Sequence, residues 1–227
     1  MGLLVAIEGI DGTGKGTQAR KLADALVAAG RTVELIGFPR YRETEFGGRI
    51  GHYLNGAYGS LDEVHPLLAS LLFAGDRFES RDLLRDAIER SDVVVLDRYV
   101  GSNIAHQSAR QQGGEREDLK DFVELLEFGI YKLPRADLVL LLDLPAAQAQ
   151  ELIAKKAPRD YTDQVHDLQE ANVGYQEEVR QVYLEVAAAD EQWRRIDLSP
   201  DGELRSIDEI AAEILEIVTA RIGPAPS

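Results

Sequence analysis

A glycine-rich segment near the start of the chain restricts its fold more than any other feature. The segment Gly9–Lys15 reads GIDGTGK, so four residues separate its first glycine from a Gly-Lys pair. Such glycines let backbone N–H groups curl around phosphate oxygens, and a following helix adds its N-terminal dipole. An apolar run, Leu3–Ile7, precedes the segment, and apolar residues at helical spacing from Ala19 to Ala29 follow it. These flanks favour a phosphate-binding P-loop over a glycine-rich turn with an incidental lysine.

Short apolar runs alternate with longer helical patterns along the rest of the chain. The predicted strands are Leu3–Ile7, Val33–Ile36, Val93–Leu96, Leu138–Leu142 and Trp193–Leu198, and the last predicted helix is Ile207–Ile222. This alternation predicts an α/β P-loop fold of three layers, with a five-stranded parallel sheet flanked by helices. We expect residues 1–222 to form a single domain with a lid at about 154–167, followed by a loose tail at 223–227.

Composition limits the kinds of partner. Forty acidic and 25 basic residues give a net charge of −15 in 227 residues, which disfavours a broad cationic surface for nucleic acid or anionic lipid. The absence of cysteine excludes disulfides, thiolate metal sites and cysteine nucleophiles. No apolar run approaches the roughly 18 residues of a membrane helix, and Glu8 comes too early for a signal peptide. We therefore expect a cytoplasmic protein that binds small molecules, with no nucleic-acid or membrane partner.

An acid and an arginine, Asp97 and Arg98, follow the third predicted strand. Ligands of parallel sheets bind beyond the carboxyl ends of the strands. Asp97 is therefore a candidate for steering Mg²⁺, and Arg98 for clamping two phosphate groups with its planar guanidinium. A structural ion pair between the two residues is the alternative. Glu8 and Asp143 end two further predicted strands and mark the same edge as a place to look for a site.

The residue after the P-loop lysine departs from the usual pattern. Serine or threonine is common there, and its hydroxyl helps to hold Mg²⁺, but this chain has Gly16 followed by Thr17. A magnesium ion would then depend on Thr17, a strand-end acid, water and nucleotide oxygens.

Four stretches of the chain together resemble the thymidylate kinases. They are residues 8–15 (EGIDGTGK), 38–41 (FPRY), 72–77 (LFAGDR) and 97–103 (DRYVGSN), in the family's order and at similar spacing. The resemblance covers residues 3 to about 197. It implies a phosphotransferase that moves one phosphoryl group from ATP to dTMP, giving ADP and dTDP for dTTP synthesis. It also implies Mg²⁺ as the cofactor and a homodimer as the assembly.

The resemblance implies roles for residues on the donor side. The implied ATP-binding residues are Gly9, Asp11, Gly12, Thr13, Gly14, Lys15, Gly16 and Thr17. Lys15 would hold the donor phosphates, and Asp97 with Thr17 would hold the metal. Arg98 would bridge the donor and acceptor phosphates as a catalytic residue.

The resemblance also implies an acceptor pocket. Its residues would be Asp11, Phe38, Arg40, Tyr41, Phe73, Arg77, Arg98, Ser102, Asn103 and His106. Phe73 would stack on thymine, Arg77 would bond a thymine carbonyl, and Asn103 would lie by the ring nitrogen. Asp11 would meet the deoxyribose 3′-hydroxyl, and either Arg40 or its neighbour would touch the acceptor phosphate. From the pattern alone, Phe73 could equally belong to an apolar core.

At two places the chain differs from the pattern of some or most members of the family. His106 stands where the family usually has Phe or Tyr, which leaves the deoxyribose preference and the base identity open. The sequence KKAPRDY at residues 155–161 predicts a basic loop. Gly12 occupies the place of a helper arginine in some members of the family. A lid arginine is therefore implied, with Arg159 the leading catalytic candidate and Glu170 a lid-proximal acid. Another nucleoside monophosphate kinase or a deoxynucleoside kinase remains an alternative, as does a nucleotide-binding switch.

Overall fold

The computed structural model describes residues 2–154 and 173–222. The strands are β1 (Leu3–Glu8), β2 (Val33–Gly37), β3 (Val93–Asp97), β4 (Leu138–Asp143) and β5 (Trp193–Asp197). The helices are α1 (Lys15–Ala28), α2 (Glu45–Leu54), α3 (Pro66–Glu79), α4 (Arg81–Arg90), α5 (Val100–Ser108), α6 (Gly113–Glu124), α7 (Ala146–Ile153), α8 (Val173–Ala189) and α9 (Ile207–Ile222). A π-helical segment, Leu125–Ile130, directly follows α6. Each predicted strand is present and differs by one residue at its carboxyl end.

The strands form one parallel sheet in the order β2-β3-β1-β4-β5. The predicted five-stranded parallel sheet flanked by helices is therefore confirmed. β1 lies at the centre, and Ile7 of β1 pairs with Asp97 of β3. Because parallel strands end at the same edge, the loop after β1 and the residues after β3 lie side by side.

Continuous apolar strands and amphipathic helices make the main core. Every residue of β4 is buried, as are the apolar residues of β3, which is typical of strands covered on both faces. Leu22 and Leu26 of α1 pack into this core. Gly30 ends the turn after α1 with φ of +83°, and its N–H donates to the Val27 carbonyl at 2.9 Å.

A smaller apolar cluster lies between α2 and α3. Its buried members are Ile50, Tyr53, Leu54 and Ala69. Tyr41 and Phe73 pack against it while remaining partly exposed. Both residues belong to the implied acceptor pocket, so this cluster supports that side of the site.

Several predicted features lie partly or wholly outside the residues that the structure describes. Almost all of the predicted lid at 154–167 lies outside the described residues, as do Arg159, Glu170 and the tail at 223–227. The single domain at 1–222 stays a prediction. Over residues 2–154 and 173–222, no helix combines the length and apolarity needed to cross a membrane.

Candidate active site

The P-loop follows β1 as predicted, and its glycines are required by their conformations and neighbours. Gly9, Gly12 and Gly14 have φ of +143°, +89° and +84°, values that side chains strongly disfavour. A Cβ atom on Gly9 would lie 2.6 Å from the carbonyl oxygen of Leu142, and one on Gly12 would overlap the carbonyl of Ala149. The loop is therefore pressed against the end of β4 and against α7.

Lys15 begins α1 and is buried beneath the loop. Its Nζ donates a hydrogen bond to the Ile10 carbonyl at 2.7 Å, and the hydroxyl of Thr13 donates to the same oxygen at 2.9 Å. Burial, and then the positive charge of Arg98, lower the pKa of Lys15 to about 7. An entering polyphosphate would favour the charged amine, so the lysine is suited to bind phosphate as a point charge.

Arg98 leans from the end of β3 across the P-loop. It has φ of +68°, a left-handed conformation that costs about 1–3 kcal/mol for a non-glycine residue. Its guanidinium forms an ion pair with the Asp11 carboxylate and donates to the Ser102 hydroxyl at 3.0 Å. Burial acts to lower the pKa of Arg98, but the charge of Asp11 opposes this, and the pKa is raised above its ordinary value. Arg98 is therefore a permanent cation beside the loop.

Asp97 is the open carboxylate of this edge. Its Oδ2 lies so close to Gly16 that a Cβ atom there would be 2.8 Å away. Among the described residues, the Asp97 side chain has no hydrogen bond or ion pair, whereas the acids that end β1, β4 and β5 are all engaged. Asp197 of β5 pairs with Arg195 at 3.1 Å. Asp143 binds the guanidinium groups of Arg180 and Arg195 at 2.6 and 2.7 Å. Asp97 is thus the strand-end acid able to meet a ligand.

Glu8, the acid that ends β1, is fully buried and has a structural role. One of its carboxylate oxygens accepts from the backbone N–H groups of Tyr99 and Ser102 at 2.8 and 3.0 Å. The other accepts from the Ser102 hydroxyl at 2.6 Å and from the Tyr183 hydroxyl at 3.0 Å. Glu8 therefore fixes the start of α5, on which Ser102, Asn103 and His106 lie.

The implied base-binding residues meet at a buried carboxylate. Arg77 of α3 and Asn103 of α5 are 2% and 1% exposed. Both contact Glu127 of the π-helical segment, which is fully buried. Phe73 lies one helical turn before Arg77, and its ring meets that of Tyr53 edge-on with centroids 6.4 Å apart. Phe73 is half-buried, so part of its ring remains accessible.

His106 lies close to Arg98 and is 4% exposed. Its Nε2 is 3.4 Å from the guanidinium of Arg98, and its Nδ1 is 3.3 Å from the Tyr175 hydroxyl. Burial, and then the charge of Arg98, lower the pKa of His106 to about 3. The imidazole is therefore neutral at physiological pH.

The loop after β2 carries the remaining implied acceptor residues. Phe38 is buried beside Tyr99, while the backbone N–H of Arg40 donates to Asp76 at 3.0 Å. The Arg40 guanidinium donates to the Ser80 hydroxyl at 3.1 Å, and Tyr41 packs on the smaller apolar cluster. Which of Arg40 and Tyr41 meets the acceptor phosphate stays a prediction.

Comparison with known proteins decides the family. A family model described as thymidylate kinase matches residues 7–210. The chain belongs to the thymidylate kinase family. Thymidylate kinase from Mycobacterium tuberculosis (strain ATCC 25618 / H37Rv) is 36% identical over 186 residues, which cover 82% of this chain and 86% of that protein. A probable thymidylate kinase from Thermococcus gammatolerans is 34% identical, and the match covers 98% of each chain.

A solved thymidylate kinase structure supports the same relationship. The enzyme from Candida albicans, described as having broad substrate specificity, superimposes with a TM-score of 0.74. It is 28% identical in sequence, and the match covers 97% of this chain and 92% of that one. The resemblance to thymidylate kinases and the P-loop fold class are confirmed.

In this member of the thymidylate kinase family, two residues not assigned to the site from the sequence form hydrogen bonds with site residues. Gln176 of α8 accepts from the backbone N–H of Asp11 at 3.3 Å and donates to its carboxylate at 3.4 Å. Asp76, inside the LFAGDR stretch, binds the Thr44 hydroxyl at 2.5 Å as well as Arg40. The motif could have pointed to Asp76, but no sequence signal marks Gln176, which is 165 residues from its partner.

Proposed function

We propose that this member of the thymidylate kinase family transfers the γ-phosphoryl group of ATP to dTMP, giving ADP and dTDP. The observation that carries the proposal is the convergence of a buried P-loop lysine, Lys15, and a partly buried arginine, Arg98, beside the open carboxylate of Asp97. Asn103 follows Ser102, which binds Arg98, and shares the Glu127 carboxylate with Arg77; these two residues would form a second, acceptor site. The two sites together suit a reaction between two nucleotides.

The chemistry follows from charge and position. Phosphoryl transfer leaves little covalent work for the protein, so catalysis depends on alignment and on neutralising developing charge. Lys15 would bind the donor phosphates, and Arg98 would bind the donor and acceptor phosphates together. Asp11 is held by Arg98 and Gln176, and its carboxylate would meet an acceptor sugar hydroxyl. Ser102, bound between Glu8 and Arg98, keeps the arginine in place.

The residues beside the P-loop fit a nucleotide-bound magnesium ion. Over the described parts of the chain, no three His, Cys, Asp or Glu residues are grouped as a protein-built metal site. Mg²⁺ bound with ATP takes most of its ligands from phosphate and water, and a single open carboxylate suits that requirement. Asp97 and Thr17 would hold the ion, which would neutralise phosphate charge. A basic lid bearing Arg159 would complete the donor side.

The acceptor side argues against a nucleotide-binding switch. A switch that only hydrolyses ATP has no use for buried polar groups such as Arg77 and Asn103 around a half-buried Phe73. A buried polar atom is costly unless it has a hydrogen-bond partner. Glu127 binds Arg77 and Asn103, but the Asn103 Oδ1 atom accepts no hydrogen bond among the described residues. A second nucleotide base would supply a donor for it.

We also propose that residues 1–222 act as one catalytic domain within a cytoplasmic homodimer. Large apolar side chains are exposed on α3 and on the adjoining π-helical segment. They are Leu68, Phe78, Leu125 and Ile130, with exposures of 57%, 42%, 58% and 59%. A second copy of the chain would cover these side chains, because exposed apolar groups of this size favour association.

A coupled ADP-release assay with Mg·ATP tests the proposed activity. Separate reactions receive dTMP, dUMP, dCMP, AMP, GMP, thymidine or no acceptor. We expect ADP release to depend on dTMP and to exceed release with every other acceptor. Faster turnover of thymidine or another monophosphate would favour the alternative kinases, and release without any acceptor would favour the switch.

A further inference from the structure

A single acid interrupts the apolar π-helical segment, and it is fully buried. Glu127 lies in the sequence LLEFGI and is 0% exposed. Burying a carboxylate is costly unless several donors compensate it. π-Helical turns are rare and occur frequently at functional sites. The residues that compensate Glu127 therefore indicate what the acid does.

Glu127 holds two residues that come from different helices. The Nε and one terminal nitrogen of Arg77 donate to its two oxygens at 2.5 and 2.6 Å. The Nδ2 of Asn103 donates to Oε1 at 2.8 Å, the same oxygen that accepts from the Arg77 terminal nitrogen. Arg77 and Asn103 are therefore held next to each other by one carboxylate.

This carboxylate determines which way the Asn103 amide faces. Nδ2 lies between Glu127 and the Ser70 carbonyl oxygen, which is 3.0 Å away. An ionised carboxylate and a carbonyl can only accept, so both partners require the NH2 group of the amide. The Asn103 Oδ1 atom is thereby turned away from them. It is buried and accepts no hydrogen bond within residues 2–154 and 173–222.

The same contacts leave a donor on Arg77. Its bidentate bond to Glu127 uses Nε and one terminal nitrogen, while the second terminal nitrogen bonds none of the described residues. Burial acts to lower the pKa of Arg77, but the charge and hydrogen bonds of Glu127 reverse this, and the pKa is raised. Arg77 therefore remains a cation with N–H groups to donate.

A donor beside an acceptor selects among base edges. Thymine and uracil present a carbonyl oxygen next to the N3–H group, which complements an arginine donor and an amide acceptor. Cytosine presents an amino group next to an unprotonated nitrogen, the reverse pattern. A site that hydrogen-bonds its substrate in this way rejects analogues that leave its buried groups unpaired.

We propose that Glu127 is a positioning residue that sets the hydrogen-bond polarity of the base pocket, fixing Arg77 as donor and Asn103 as acceptor. Discrimination between thymine and cytosine then depends on an acid that does not itself touch the base. This inference rests on the proposed function, because it concerns the acceptor base of that reaction.

Substitutions at Glu127 test the proposal through acceptor choice. Glu127→Gln keeps the shape but supplies one acceptor oxygen and one NH2 group, so it cannot satisfy Arg77 and Asn103 in their present orientations. Glu127→Asp keeps the charge and withdraws the carboxylate by one methylene. Glu124→Gln is the matched control, since Glu124 ends the preceding helix and pairs with Arg135 at the surface. For each protein, kcat/KM is measured with dTMP and with dCMP, together with KM for ATP.

We expect the dTMP-to-dCMP ratio of kcat/KM to fall about 10- to 100-fold in Glu127→Gln. Glu127→Asp should lower the ratio in the same direction, while Glu124→Gln keeps the wild-type ratio. KM for ATP should stay the same in all three variants. Adding Glu127→Gln to Asn103→Ala should lower the ratio little further, since one residue acts through the other.

The opposite results would overturn the proposal. A folded Glu127→Gln protein with the wild-type ratio, or with equal losses for both acceptors, would make Glu127 a structural brace only. If Glu127→Gln does not fold, the ratio in Glu127→Asp decides in the same way. If the wild-type enzyme prefers dTMP and the variants keep the wild-type dTMP-to-dCMP ratio of kcat/KM, this inference alone is refuted. Wild-type enzyme without dTMP-dependent turnover defeats the proposed function as well.

Discussion

Individual side chains in this site have properties set by their surroundings rather than by their type. Lys15 is buried within the P-loop, and this burial, together with the charge of Arg98, lowers its pKa to about 7. The amine is therefore partly neutral in the free protein at physiological pH. Bound phosphates would stabilise the charged form and raise the pKa again.

The first prediction is that ATP binding takes up a proton above pH 7. At pH 8 the free lysine is mostly neutral, while the bound lysine is charged. ATP affinity should therefore fall with rising pH, by up to about tenfold per unit between pH 7.5 and 9. Titration calorimetry in two buffers of different ionisation enthalpy measures the uptake. Lys15→Met should show neither uptake nor this pH trend, and uptake equal to wild type would contradict the prediction.

The second prediction concerns the two cations of the proposed phosphate site. Lys15→Ala and Arg98→Ala should each lower kcat at least about 100-fold, the scale for removing one charge-stabilising group. Lys21→Ala is the control, because Lys21 lies on the same helix and pairs with Asp208 at the surface. Near-normal turnover in both site variants would refute their proposed roles.

At the scale of elements, the site is held together by contacts between distant segments. Glu8 at the end of β1 receives hydrogen bonds from the first turn of α5 and from Tyr183 of α8. Gln176 links α8 to Asp11 of the P-loop. The position of α8 therefore depends on the same strand end that begins the P-loop.

The third prediction is that Glu8 contributes mainly to stability. Glu8→Gln replaces one acceptor oxygen with an NH2 group that would face a donor. The free energy of unfolding should fall by about 2–3 kcal/mol, because buried donors lose their partner. Urea denaturation followed by circular dichroism measures this fall. Glu216→Gln makes the same change at an exposed position of α9 and should stay within about 0.5 kcal/mol of wild type. An equally small effect at Glu8 would contradict the prediction.

These contacts also explain how much of the fold and of the site could be predicted from the sequence alone. The central strands β1, β3 and β4 are buried on both faces, so their apolar runs predicted them directly. The edge strands β2 and β5 are partly exposed, and their patterns are weaker. The P-loop glycines predicted the loop that follows β1. The role of Glu127 could not be predicted, because Glu127 meets Arg77 only through contacts 50 residues apart. The low pKa of His106 likewise arises from burial and from Arg98, which residue spacing does not reveal. Motifs identify the residue types of a site, whereas tertiary contacts determine which atoms donate or accept hydrogen bonds and how the pKa values shift.

At the scale of the whole molecule, exposed apolar side chains contrast with the strongly acidic composition. A net charge of −15 opposes the association of two copies through repulsion. Leu68, Phe78, Leu125 and Ile130 nevertheless lie exposed on adjoining elements. Association through this face would bury them and would place α3, which carries Phe73 and Arg77, next to the interface.

The fourth prediction is that this face forms the dimer. Leu125→Glu should convert a dimer of the wild-type chain into a monomer, because a charge would be buried without a partner. Size-exclusion chromatography with light scattering measures the mass of each form. Val27→Glu is the control, since Val27 is similarly exposed, at 56%, on α1. A monomeric wild-type chain, or a dimeric Leu125→Glu protein, would refute this interface.

The crowding around the P-loop glycines has a thermodynamic consequence for nucleotide capture. The main chain at Gly9 and Gly12 is already confined by Leu142 and Ala149. Folding has therefore removed most of the loop's conformational entropy before any nucleotide arrives. A mobile loop would lose conformational entropy on binding, and this loss would weaken its affinity for phosphate. A loop that is already ordered avoids most of that loss. The core thus preorganises the loop that we propose binds phosphate, and we expect the contacts that pack the sheet to raise nucleotide affinity as well.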